Sequence, residues 1–249
     1  MKTIEVSRKS SVMTITLNNP DRGNALSAQM VEEIHDALER AEAKRVALVI
    51  IRGQGKHFCT GLDLSDLAET TDEILLSRII RIEQLLARIW SSPFVTLAIA
   101  SGRTFGAGAD LVAACDRRFA MAGASFSFPG AAFGLVLGTR RLGIRLGTDV
   151  AQNIILSGKT LTDAESEKAG LLTGILSAED DLEAFLEPEI NSARRLEETT
   201  RQQIRHALNP GDGLDSDLAN LVRSASRPGL KKRIEDYREK VLSEKKTAE

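Results

Sequence analysis

Two segments of the chain put small residues directly after an apolar run. Gly53-Gln54-Gly55-Lys56-His57-Phe58-Cys59-Thr60-Gly61-Leu62-Asp63-Leu64 follows residues 46–51, and Ser101-Gly102-Arg103-Thr104-Phe105-Gly106-Ala107-Gly108-Ala109-Asp110 follows residues 94–100. Small residues let a backbone approach a ligand closely, and a helix N-terminus presents unpaired N–H groups carrying partial positive charge. Two such turns side by side would hold an oxyanion, the charge a carbonyl oxygen gains when a proton leaves the neighbouring carbon. Asp110 lies in the second segment, in the first turn of the helix that follows. A carboxylate in the first turn of a helix is also favourable without any chemistry, because it faces the positive end of the dipole.

The elements that must position these turns are legible as periodicities. Val12 to Leu17 alternates, is rich in β-branched residues, and stops at Asn18-Asn19-Pro20-Asp21, so it reads as a strand running into a loop. Ser27 is an expected N-cap for an amphipathic helix over 28–44, with Met30, Val31, Ile34, Ala37, Leu38 and Ala41 on one face. Residues 46–51 and 94–100 are short, continuous apolar runs, expected to be strands buried on both faces. A second long helix, carrying Ile74, Leu75, Ile79, Ile82, Leu85, Leu86 and Ile89, lies between them. Strand again at 117–121, helix at 148–156, and a capping box at Thr162-Asp163-Ala164-Glu165 continue the alternation of a layered α/β fold. From about 181 the chain turns to charged helices, over 182–208 and 218–241, interrupted at 209–213.

Composition narrows the function. With 33 Lys+Arg against 35 Asp+Glu the chain has no global attraction for nucleic acid or an anionic membrane, and neither is expected as a partner. No apolar run reaches the ~18 residues of a membrane span and the first residues lack a signal-peptide layout, so a cytoplasmic protein is expected. Cys59 and Cys115 are far apart in small or apolar surroundings, and read as reduced, core-filling thiols. Ser157-Gly158-Lys159-Thr160 lacks the first glycine of a phosphate loop, and Gly106-Ala107-Gly108-Ala109-Asp110-Leu111 lacks the third glycine of a dinucleotide fingerprint. His35, His57 and His206 have no metal-ligand spacing. His57 and the run Lys231-Lys232-Arg233 read as solvated, and Asp63 and Asp116 as turn, cap or ion-pair residues.

Together with Asn18-Asn19-Pro20-Asp21-Arg22-Gly23-Asn24-Ala25-Leu26-Ser27, the two turns resemble the enoyl-CoA hydratase/isomerase family, the crotonase superfamily, in motif order and separation. The resemblance runs from about Ile4 to Leu176 and includes Leu161-Thr162-Asp163-Ala164-Glu165 and Ala169-Gly170-Leu171-Leu172. It implies an α/β spiral of repeated ββα units over 1–190 with a C-terminal helical region over 191–249 that trimerises. The implied ligand is an acyl-CoA thioester with no further cofactor, and the assembly a homotrimer or dimer of trimers. By motif position, the N–H groups of Leu62 and Ala107 form the oxyanion hole. Arg22 lies near the CoA phosphates, with Ala25, Leu26, Gly61, Asp63, Leu64 and Gly108 along the CoA-binding path.

Two departures bear on the reaction. Hydratases of the family use two glutamates; the first position corresponds to Asp110, and the second, after Pro129, is Gly130. The glycine-rich turn that follows is shortened to residues 134–142, with no acidic residue in it. A single carboxylate suffices to remove and return a proton, so double-bond isomerisation is favoured over water addition, within the wider expectation of a lyase or isomerase.

Overall fold

The computed structural model describes residues 2–208 and 213–248. The chain opens with a hairpin, β1 (Ile4–Lys9) and β2 (Val12–Leu17), turning at Ser10, which has a positive φ. Helix α1 (Ala28–Ala43) starts at Ser27, whose hydroxyl accepts from the Met30 N–H, and buries the apolar face read from the sequence. Next come β3 (Leu48–Gly53), α2 (Asp72–Trp90), β4 (Val95–Ala100), the short β5 (Arg103–Phe105), α3 (Ala107–Ala114), β6 (Arg117–Met121) and β7 (Ser125–Ser127). After α4 (Thr139–Leu146) and α5 (Thr148–Ser157) the chain adds β8 (Leu161–Thr162), α6 (Asp163–Lys168) and β9 (Gly174–Leu176). Four helices close it: α7 (Leu182–Arg194), α8 (Glu198–Leu208), α9 (Leu214–Ala225) and α10 (Leu230–Ala248).

One sheet has the order β1-β2-β3-β4-β6-β9, parallel apart from the first hairpin, and a smaller sheet has the order β5-β7-β8. Each pass of the chain contributes a strand to the large sheet, and later passes add one to the small sheet, so β5 leaves directly after β4 and β7 after β6. The α/β spiral expected from the sequence is thus present. Leu48, Val49 and Ile51 are fully buried, as a parallel strand covered on both faces requires.

The C-terminal region has more breaks than the sequence reading gave. The expected helix over 182–208 divides into α7 and α8 at residues 195–197, and that over 218–241 divides into α9 and α10 around Arg227-Pro228-Gly229, where Pro228 cannot continue an α9 hydrogen-bond ladder and Gly229 has φ +77°. The interruption at 209–212 lies outside the described residues. The boundary placed at 190 falls inside α7, whose Phe185 packs edge-on against Phe119 of the large sheet. Helices α9 and α10 pack back on α2 through Leu221, Leu230 and Ile234. Among the described residues no helix is long and apolar enough to cross a membrane.

Candidate active site

Three loops converge where the sequence places its chemistry. Leu26 donates from its N–H to the Gly61 carbonyl at 2.7 Å and accepts from the Asp63 N–H at 3.2 Å, which ties the 18–27 loop to the first turn. Leu26 itself is in the core and is not among the residues that line the cavity with Asp110. The Phe105 N–H donates to the Cys59 carbonyl at 3.0 Å and ties the first turn to the second. Gly61, at φ +99°, lies so close to the second turn that a Cβ there would sit 3.0 Å from the Phe105 carbonyl oxygen and 3.6 Å from the Ala107 nitrogen. Gly108 is packed harder still, because a Cβ would fall 2.3 Å from the Cys59 carbonyl oxygen. The two glycines therefore act by letting the turns stack.

Stacking brings the Leu62 and Ala107 backbones to one cavity of about 260 Å³. Ala107 is the first residue of α3, where no intrahelical acceptor exists for its N–H. Among the described residues neither the Ala107 N–H nor the Leu62 N–H donates to a protein acceptor. Leu64 lines the same cavity, while Arg22 and Asp63 form a loose ion pair at 4.0 Å and Ala25 is buried beside them in sequence.

Asn24 was overlooked by the sequence reading beyond its place in the motif. It is fully buried at φ +55°, donates from Nδ2 to the Gln54 and His57 carbonyls at 3.0 and 2.7 Å, and accepts from the Asn19 N–H at 2.8 Å. His57 is a brace, accepting on Nδ1 from the Arg103 N–H at 3.0 Å, with its pKa lowered by burial and then by Arg103 and Lys56. Asp116 bonds the Thr96 N–H and pairs with Arg205, as an ion-pair residue should. Cys59 and Cys115 are buried, and burial pushes both thiols up to about 12. Lys159 pairs with Glu165 on the surface at 2.7 Å.

Asp110 lines the cavity from the first turn of α3 and is 6% exposed. Burial holds its carboxyl well above the ordinary aspartate range; the nearby Glu83 adds to that and Arg141 opposes it. Among the described residues no group hydrogen-bonds this carboxyl. The facing wall runs through Phe128, Pro129, Gly130, Phe133, Leu135 and Leu137, and carries no acid. Helix α10 completes the rim with Ile234, Tyr237 and Arg238.

Behind Asp110 lies a cluster absent from the sequence reading. Arg141, 0% exposed, makes a two-point pair with Glu83 at 2.5 and 3.1 Å and reaches Asp217 at 3.2 Å. Arg140 grips Asp217 at 2.9 and 2.8 Å. A signal existed: Glu83 sits four residues after Ile79 and three before Leu86, on the apolar stripe of α2, where an unpaired charge is not tolerated. Arg233 corrects a second expectation. It is no solvated residue, since its guanidinium donates to the carbonyls of Phe133 and Arg227 at 3.0 and 3.1 Å and so pins the far wall of the cavity to α10.

Comparison with known proteins decides the family. A family model described as enoyl-CoA hydratase/isomerase matches residues 7–239. The chain belongs to the enoyl-CoA hydratase/isomerase family, a family of enzymes. It is similar to a crystal structure from Bordetella parapertussis, itself a candidate enoyl-CoA hydratase/isomerase, at 39% identity and a TM-score of 0.92, covering 95% of this chain and 98% of that one. Among curated relatives, 2,3-dehydroadipyl-CoA hydratase of Escherichia coli strain K12 is 28% identical over 233 residues, 89% of this chain and 91% of the relative. The probable enoyl-CoA hydratase echA6 of Mycobacterium bovis is 34% identical over 162 residues, 64% of this chain, and the match spans 65% of that relative's length.

Proposed function

We propose that the protein transforms an acyl-CoA by holding a thioester enolate between the Leu62 and Ala107 N–H groups while Asp110 alone moves the proton, with double-bond isomerisation favoured. The observation that carries this reading is that Asp110 is the one carboxyl, among the described residues, lining the cavity that Leu62 and Ala107 also line. In the direction from 3-enoyl to 2-enoyl thioester, the Asp110 carboxylate takes a proton from C2 and the electron pair moves onto the thioester oxygen. The pair then returns, the double bond shifts to C2–C3, and the same carboxyl delivers the proton to C4. Each oxyanion donor contributes about 2.7–4 kcal/mol to such a transition state. A carboxyl raised by burial is a better base for a carbon acid than an ordinary aspartate, and a better acid than a lysine, so it serves both halves of the cycle.

The reading takes a CoA thioester as substrate, and the chemistry it assigns calls for no additional cofactor. Arg22, half-exposed beside Asp63, suits the CoA phosphates, and the backbones of residues 61–64 the pantetheine. Water addition is the second reading, favoured by the hydratase names of relatives. It requires a second group to activate water, and Glu83 cannot serve, since it is 1% exposed and is not among the residues lining the cavity. Self-association as a trimer or dimer of trimers is supported by exposed Ile144, Val150 and Leu156 beside an apolar groove between α4 and α5. Buried thiols that form no disulfide fit a cytoplasmic setting.

The test is deuterium incorporation at C2 and C4 of 2-enoyl-, 3-enoyl- and saturated acyl-CoAs in heavy water, read by mass spectrometry and NMR. Exchange and bond migration that vanish in Asp110→Asn are expected. Exchange undiminished in that variant overturns the single-carboxyl shuttle. CoA binding without any exchange would instead mark a non-catalytic binder. A light-scattering mass of one chain at micromolar concentration would overturn the trimer.

A further inference from the structure

The charge cluster behind Asp110 does more than fill the core. Buried ion pairs are expensive to desolvate and are often no more stabilising than apolar residues of the same volume. Here the fully buried Arg141 sits on the buried carboxylates of Glu83 and Asp217, and the partly exposed Arg140 also holds Asp217, 5.7 Å from the centre of the Trp90 ring. The quartet sums to zero charge without Asp110. One donor is left over, for the Nε–H of Arg141 is buried and has no acceptor.

The quartet is joined mechanically to the Asp110 carboxyl through Gly138. This residue caps α4 at φ +63°, three positions before Arg141, and lies against Asp110 so tightly that a Cβ there would be 2.2 Å from Oδ1. No side chain caps the first turn of α4, whose N-cap residue is the one packed against this carboxyl. The clamp of Glu83 and Asp217 on Arg141 and Arg140 thus fixes α4 to α2 and α9, and α4 in turn fixes the backbone on which the Asp110 carboxyl rests.

We propose that Arg141, gripped by Glu83 and Asp217, is the positioning residue for Asp110: it seats the α4 N-terminus against the carboxyl and provides the positive charge that balances it whenever it is ionised. Glu83 is the counterweight that keeps this positive charge from holding Asp110 permanently ionised. The proposal rests on Asp110 being the proton carrier. The elements packed about Asp110 bring Glu83 from α2, Arg141 from α4 with Arg140 beside it, Asp217 from α9 in contact with both arginines, and Tyr237 and Arg238 of α10 on the lining of the same cavity; Arg145 of α4 and Arg103 of β5 instead hold the Ala113 and Cys115 carbonyls and the His57 ring. Burial raises its carboxyl most, Glu83 adds to the rise and Arg141 opposes it.

The experiment is an infrared titration of the ligand-free full-length protein, with the Asp110 carboxyl band assigned by its loss in Asp110→Asn. Removing the charge of Glu83 in Glu83→Gln is expected to move the Asp110 midpoint down, on the order of one pH unit. Arg141→Met is expected to move it up, and Arg141→Lys to keep it near the starting value. The pH profile of C2 deuterium exchange with 3-hexenoyl-CoA should shift in the same directions. An Asp110 midpoint unmoved in Glu83→Gln, with a native circular dichroism spectrum, overturns the proposal. Should Arg141→Met fail to fold, Glu83→Gln and Arg141→Lys still decide it. Because the titration needs no turnover, it stands even if Asp110→Asn keeps its exchange activity, an outcome that would sink the catalytic reading instead.

Discussion

The two walls of the cavity are built on opposite principles. The α3 wall concentrates charge: Asp110 sits in front of a buried quartet, with glycines at 61, 108 and 138 where a Cβ would strike neighbouring atoms. The wall from Phe128 to Leu137 has no charge of its own, and at Gly130 a Cβ would meet only Leu135 atoms, at 3.7 Å or more. A glycine packed to contact is there for the backbone, whereas a glycine with room beside it is a position that has given up a side chain. One wall carries the carboxyl to which our proposal assigns proton transfer, and the other offers an apolar surface. This asymmetry is the reason a one-carboxyl reaction fits the geometry better than water addition.

The sharpest way to break the comparison is to neutralise the charged wall. Asp110→Asn keeps shape and removes the proton carrier, so C2 exchange is expected to fall by about 10²–10⁴-fold, the usual contribution of a general acid/base. Mass-spectrometric exchange rates at matched CoA occupancy check this, and a loss below tenfold would mean that another group carries the proton. Gly138→Ala is expected to follow with a loss of about 10²-fold, the effect of displacing a catalytic group by an ångström. Its Cβ would press on Oδ1 of Asp110 and its φ of +63° disfavours alanine. The same substitution at Gly143, where a Cβ meets nothing within 4 Å, should leave exchange unchanged.

Much of this asymmetry was legible in the sequence, and the remainder fails for identifiable reasons. The turns and the alternation of strand and helix are local signals, readable from spacing and residue type, while the roles of Asp110 and of the glycine at 130 come from the motif resemblance. The quartet is not local: Glu83 and Arg141 are 58 positions apart and Arg140 and Asp217 are 77 apart, so nothing in a window of sequence pairs them. Only the misfit of Glu83 on an apolar stripe hints at it. Helix α4 escaped for a related reason, since Gly134 and Gly138 read as turn formers and the second of them is in fact the cap. The strands β5, β7 and β8 span two or three residues each, below the length at which periodicity carries information.

The opposite operation is to charge the apolar wall. Gly130→Glu adds a second carboxyl to the lining of the cavity that holds Asp110, at a backbone position without a positive φ and with space for a Cβ. The expected result is water addition to a 2-enoyl-CoA about tenfold above the parent protein, as a second group becomes able to activate water. Loss of the conjugated enoyl thioester absorbance measures it. If the parent already hydrates at the rate of the variant, the facing wall is not what limits the chemistry.

The smallest effect concerns stability, and it separates the charged wall from an ordinary core. Asp110 is raised above its unfolded value of 3.8, so between that pH and its folded value the unfolded chain releases a proton that the folded chain keeps. The folded state binds more protons in this window, and stability falls as pH rises through it, then levels off. Asp110→Asn removes this slope. Carboxylates held low, such as Asp66 by Arg78 and Asp72 by the N–H groups of residues 229–231, contribute with the opposite sign, but equally in both proteins. The difference in melting temperature between variant and parent is therefore expected to be near zero around pH 4 and to grow in favour of the variant toward pH 8. The scale is ~2–4 °C for each kcal/mol in a chain of this size. Thermal unfolding at a series of pH values measures it. A difference that does not change with pH would mean that Asp110 is as easily ionised in the folded protein as in the unfolded one, and that the charged wall exerts no hold on its proton.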